Sequence, residues 1–160
     1  MPKWLIIGYG NMLRSDDGVG RRAAEALKDE SPKHEALIND ERTARDLEII
    51  GAHQLTPELA EPVGRARRVL FLDASHEGMA GEIRRKKIGP DPDFQPGAMT
   101  HDLSPQALLA MAARYFHSQP EAELLTLTGE NFDLGEAFSE AVAEAWPAYL
   151  NQIRDWIKPQ

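Results

Sequence analysis

Two aspartates, Asp16 and Asp17, stand side by side in the stretch GYGNMLRSDDGVG, which runs from Gly8 to Gly20 behind the apolar run WLII. A third, Asp73, ends a second apolar run, VLFLD, and His101 stands in MTHDLSP just before a helical pattern. Carboxylate oxygens joined by one imidazole nitrogen make a donor set suited to zinc, nickel or another divalent ion. Each residue also has a plainer use. Aspartates at a helix start cap free N–H groups and complement the helix dipole. A carboxylate ending a buried strand can fix a loop by hydrogen bonding, since ionised carboxylates are rarely buried without a partner. His76, in DASHEG, follows Asp73 closely and is the rival for the histidine position, whereas His34 and His117 lie in polar or helix-end contexts. Spacing does not decide between the two aspartates of the pair, nor between the two histidines.

A glycine-rich turn after a first strand also raises phosphate binding. The dinucleotide fingerprint needs a third glycine three residues after the second, and Leu13 stands there instead. Two carboxylates at the helix start would moreover repel a pyrophosphate. The turn therefore argues against a nucleotide. With no cysteine in the chain, a thiol nucleophile, a cysteine-type zinc site and a disulfide framework are excluded.

The elements that must position these residues follow from the apolar pattern. Buried strands are expected over Lys3–Ile7, Leu47–Ile50, Val69–Leu72 and Leu124–Thr128. GEIRRKKI reads as a weaker, edge-like strand with exposed basic residues. Helices are expected over Val19–Leu27, with Asp16 or Asp17 at its start, over Pro57–Ala66, and over Ser104–Phe116 with Ser104 as cap. A last helix starts near Ser139, its buried stripe marked by Phe138, Val142, Trp146, Tyr149, Ile153 and Trp156, and Pro147 should kink or interrupt it. SPKHEALINDERTARD is mostly loop with room for a short strand, and GPDPDFQPGAM is loop by its proline and glycine density. Strands alternating with helices give a three-layer α/β domain, a mostly parallel twisted sheet of about five strands with helices on both faces. In such a sheet functional residues collect outside the carboxyl ends of the strands. That rule singles out the turn after Ile7, Asp73, and the loop before Ser104.

No repeat or linker divides the 160 residues, so a single domain over residues 1–160 is expected. Hydrophobic residues at 42% and charged residues at 28% are ordinary for a soluble globular chain. A net charge of −8 argues against a nucleic-acid or anionic-membrane partner. No apolar run reaches the roughly 20 residues of a membrane span, and PKWLII is too short for a signal-peptide core, so a cytoplasmic monomer is the expectation.

GYGNMLRSDDGVG closely resembles the amino-terminal signature of the hydrogenase maturation endopeptidases, G-x-G-N-x-L-x-x-D-[DE]-G-x-G. VLFLDA resembles that family's strand ending in Asp-Ala, and THDLSPQALLAMA its small residue, His, Leu and apolar helix. LTLTGENFD and FSEAV are similar to its last strand and helix, so the resemblance spans the chain in order. It implies an endopeptidase that removes a carboxy-terminal extension from the nickel-loaded large-subunit precursor of nickel–iron hydrogenase. It further implies Asp17, Asp73 and His101 as catalytic and metal-contacting residues, with Asp16 as the helix cap. Nickel would arrive with the substrate, and zinc or cadmium could replace it in the isolated protein. One departure stands out. Many members carry an Asp-Gly-Thr-like segment where this chain has HQLTPE, which resembles the branch acting on bidirectional, NAD(P)-coupled hydrogenases. His53, Gln54 and Leu55 are therefore candidates for substrate recognition, set against a plain helix-entry loop.

The usual protease machinery is missing: there is no G-x-S-x-G elbow, no H-E-x-x-H helix and no Asp-Thr-Gly motif. Metal-directed hydrolysis fits the residues better, with Asp17 as base if the metal only docks the substrate. Two rivals remain: a non-catalytic nickel-sensing assembly module, and a metallohydrolase for small molecules, which a closed deep pocket would favour.

Overall fold

A computed structural model of the protein describes residues 4–30, 46–95, 97 and 103–158. His34, His101 and nearly all of the 31–46 segment lie outside these described residues. The chain forms β1 (Trp4–Tyr9), a 3-10 turn (Ser15–Gly18), α1 (Val19–Asp29), β2 (Leu47–Ala52), a 3-10 turn (Pro57–Leu59), α2 (Ala60–Arg65) and β3 (Arg68–Ser75). There follow β4 (Ile83–Ile88), α3 (Pro105–Phe116), β5 (Glu121–Thr128) and α4 (Glu140–Ile157). The five strands lie in the order β2-β1-β3-β5-β4, all neighbours parallel except β4 and β5.

The apolar runs are continuous because both faces of the sheet are covered. Leu5, Ile7, Val69 and Phe71 point to one face and pack against Val63 of α2 and Leu108, Leu109 and Met111 of α3. Ile6, Leu70, Leu72, Leu125 and Leu127 point to the other and meet Val19, Ala23 and Leu27 of α1 with Val142, Tyr149 and Ile153 of α4. Each fully buried leucine or isoleucine stabilises this three-layer stack by about 1.5–3 kcal/mol.

Three expectations need correction. The Pro57–Ala66 segment is not one α-helix, because it opens as the 3-10 turn Pro57–Leu59 before α2. β3 runs beyond Asp73 to Ser75, paired throughout with β5. Pro147 does not interrupt α4, which is continuous from Glu140 to Ile157. The proline sits on the exposed side of that helix, and the carbonyl it leaves without an intrahelical partner belongs to the equally exposed Ala143. The buried stripe Val142, Tyr149, Ile153 and Trp156 holds both halves against the sheet.

Candidate functional site

From β1 the chain moves outward to β2 in one direction and to β3 in the other, so the sheet order reverses between β1 and β3. A crevice outside the carboxyl ends of these two strands is the expected ligand position. Tyr9 follows Leu5 and Ile7 on one face of β1, and Asp73 follows Val69 and Phe71 on the same face of β3. The Tyr9 hydroxyl donates a hydrogen bond to the Asp73 carboxylate. The Ala74 N–H donates to Asp73 Oδ1 at 2.8 Å. Burial pushes the Asp73 carboxyl up from its ordinary 3.8 to about 7. The two hydrogen bonds oppose that rise, and the negative charge of Asp17 adds to it. Burial also raises the Tyr9 phenol, with Asp73 beside it adding to the effect.

Asp17 is brought to the same place by the turn after β1. Its Oδ2 accepts the Asn11 N–H at 2.9 Å. Two glycines let this turn lie directly on the strand ends. Gly10 has φ 146°, and a Cβ there would strike the Asp17 carbonyl oxygen; a Cβ on Gly20 would strike the Leu72 carbonyl oxygen. The close approach these glycines permit is therefore made by the chain's own backbone.

Asp16 departs from its expected role. Neither the 3-10 turn nor α1 has a side-chain cap, and the Asp16 carboxylate is wholly buried. The 3-10 turn aims it away from α1, into the loop between β5 and α4. There its oxygens accept from Glu130 N at 2.8 Å, Asn131 N at 2.9 Å, Ser139 N at 2.9 Å and Ser139 Oγ at 2.7 Å. Burial alone would raise this carboxyl, but the four donors outweigh it and hold Asp16 below the usual range. Ser139 is also the N-cap of α4, so Asp16 ties the first turn of the site to the last helix. Ser15 adds to the join, its N–H bonding Gly135 O and its hydroxyl bonding Asp133 O, each at 2.8 Å.

Tyr9, Gly10, Asp17, Asp73, His53, Gln54, Leu55, Leu103, Ser104 and Pro105 line one open cavity of about 390 Å³. Larger cavities of about 510 and 660 Å³ lie around Trp4 and Pro120, at the opposite edge of the sheet, and hold none of these site residues. His53 and Gln54 are exposed at the rim, whereas Leu55 is 3% exposed and packs into the core beneath it. His76 does not line this cavity. It stacks on Phe132, ring centroids 3.8 Å apart. Leu103 and Ser104, which do line it, stand just after His101, itself outside the described residues.

Two carboxylates facing one space form an oxygen donor set, and a divalent cation between them would offset the repulsion that helps to raise Asp73. Among the described residues no third acidic, histidine or cysteine side chain completes a cluster able to hold a metal. Sequence reasoning missed Tyr9, because it occupies the free position of a G-x-G turn. The signal was its alternation with Leu5 and Ile7, which sets it on the face that carries Asp73.

No family model matches this chain, and no curated protein matches it. Solved structures do. The nickel–iron hydrogenase maturation protease HycI from Thermococcus kodakarensis is similar with TM-score 0.69 at 23% identity, over 98% of this chain and 92% of that one. The hydrogenase maturating endopeptidase HybD from E. coli gives TM-score 0.68 at 20% identity, over 94% and 89%. A hydrogenase 2 maturation peptidase from a Thaumarchaeota archaeon gives 0.66 at 20%, over 97% of each chain. At these identities the likeness establishes a shared fold.

Proposed function

We propose that this chain is an endopeptidase that removes the carboxy-terminal extension of a nickel-loaded hydrogenase large-subunit precursor. One observation carries the reading: Asp17 and Asp73, delivered from different strand ends, line a single open cavity at the reversal point of the sheet. The shared fold with hydrogenase maturation proteases supports it, as do the matches of SDDGVG, FLDA and THDL to the family's motifs. An open-sided cavity with exposed rim residues suits a protein substrate better than an enclosed small molecule.

In this account Asp17, Asp73 and His101 hold the nickel borne by the substrate, and zinc or cadmium substitutes in the isolated protein. Tyr9 fixes the orientation of Asp73 through its hydroxyl. His53 and Gln54, on the rim, select the substrate, with Leu55 supporting them from below. Where the metal only docks the substrate, with the scissile peptide held against the carboxylates, Asp17 takes a proton from the attacking water. The water oxygen joins the carbonyl carbon, and the C–N bond breaks as that proton passes to the leaving amine.

Incubation with nickel-loaded precursor, followed by intact mass, tests the reading. The wild-type protein should remove the tail, and Asp17→Ala, Asp73→Ala and His101→Ala should each slow removal by about a hundredfold or more. Tight binding of the precursor with its tail left intact by the wild-type protein would instead identify a non-catalytic nickel-sensing assembly module.

A further inference from the structure

β4 is an edge strand, and its sequence IRRKKI places four consecutive cations on a protein of net charge −8. Thr128 N–H donates to Glu82 O at 2.8 Å, which sets the alternation of the β4–β5 ladder. Arg84, Lys86 and Ile88 accordingly turn their backbone groups toward β5, while Ile83, Arg85 and Lys87 turn theirs outward. No backbone group among the described residues bonds to that outer row, and Arg84 through Lys87 are all exposed. Ile83 packs with the α1/α4 face and Ile88 with the α2/α3 face. By alternation Arg85 and Lys87 share the first of these faces, and Arg84 and Lys86 the second. Arg84 pairs with Glu82 and Arg85 with Glu123, both at 3.0 Å. Lys86 and Lys87 have no ion-pair partner among the described residues.

We propose that the outer edge of β4 is a docking site for an acidic, extended segment of a partner protein, which adds to the sheet as a further strand. The outer row supplies main-chain donors and acceptors at every second residue, the pattern a new strand requires. Lys86 and Lys87 flank that row on opposite faces, so carboxylates on both faces of the incoming segment find a cation. Charge also selects against the wrong occupant. A second copy of β4 would set basic side chains opposite basic side chains, which is unfavourable across a ladder. The proposal is independent of the chemistry at Asp17 and Asp73.

The test is a titration of the full-length protein with a blocked eight-residue peptide of repeating Glu-Glu-Thr-Thr, which sets carboxylates on both faces of a strand, beside its counterpart with lysine in place of glutamate. Amide NMR should show the acidic peptide shifting the Ile83, Arg85 and Lys87 N–H signals and slowing their hydrogen exchange, with affinity falling as salt rises. The basic peptide should leave these signals alone. Lys86→Glu combined with Lys87→Glu should weaken the acidic peptide by about tenfold or more. Lys87→Pro removes an outward N–H, leaves every ladder bond in place, and should abolish protection of the outer row. Acidic-peptide binding that leaves the outer amides unprotected, or equal binding of both peptides, would overturn the proposal. Concentration-dependent protection of those amides without any peptide would also overturn it, since the occupant would then be a second copy.

Discussion

Asp16 and Asp17 are chemically identical neighbours put to opposite uses. Asp16 is buried under four donors, and Asp17 lines the cavity with one backbone N–H on its carboxylate. Their order of importance for stability follows. Asp16→Asn removes the buried charge that four donors address and should destabilise by about 2–3 kcal/mol, whereas Asp17→Asn should cost well under half as much. Thermal melts of the two variants check this, and the reverse order would exchange their roles. The sequence showed that a pair was there, and its motif pointed to Asp17 as the working member. It could not show what Asp16 does, because the partners of Asp16 stand at Glu130, Asn131 and Ser139, far along the chain. Asp73 yields a prediction of the opposite sign to that of a paired carboxylate. Its folded value near 7 lies above the ordinary 3.8, so between those pH values the unfolded chain releases a proton that the native protein keeps. Stability from this group is full below about pH 4, is lost as pH rises to 7, and is flat beyond. Urea midpoints of chelator-treated wild type and Asp73→Asn, compared from pH 4 to 8, should therefore cross in favour of the variant at the alkaline end. A wild-type advantage that grows with pH would contradict the burial of Asp73.

At the scale of elements, strand patterning was readable because both faces of the central strands are covered. WLII and VLFL read as interior strands, and the basic run of β4 marked the sheet's edge. Their ends were less readable. β3 and β5 are longer at one end or both because they pair with each other along eight residues, a tertiary effect that no local propensity encodes. α4 is the clearest case of packing overriding propensity. A proline inside an 18-residue helix is tolerated because the stripe from Val142 to Trp156 is buried on both sides of it. Pro147→Ala should restore one backbone hydrogen bond and stabilise the protein by about 1–3 kcal/mol, a gain that is net of the smaller loss expected from greater freedom in the unfolded chain. An increased urea midpoint with unchanged slope is the expected result. A decreased midpoint would mean that the packing of α4 depends on the proline.

For the whole molecule, function depends on a topological fact, the reversal of sheet order between β1 and β3. It gathers the turn after Ile7, the end of VLFLD and the segment entering α3 around one cavity, the three places the sequence singled out. Sequence order alone could not reveal the strand order, since that is decided by how the apolar faces are covered. Nor could it reveal that Leu55 would sink into the core while His53 and Gln54 stay on the rim. In the function proposed above, this cavity recognises a metal carried by its substrate, which makes cleavage conditional on completed assembly. The most direct measurement is mass spectrometry of the precursor's carboxyl terminus after incubation with wild-type protein, with nickel loaded and with nickel absent. Tail removal is expected only from the nickel-loaded precursor, with added zinc failing to restore full processing of the empty one. Efficient removal of the tail from nickel-free precursor would contradict it.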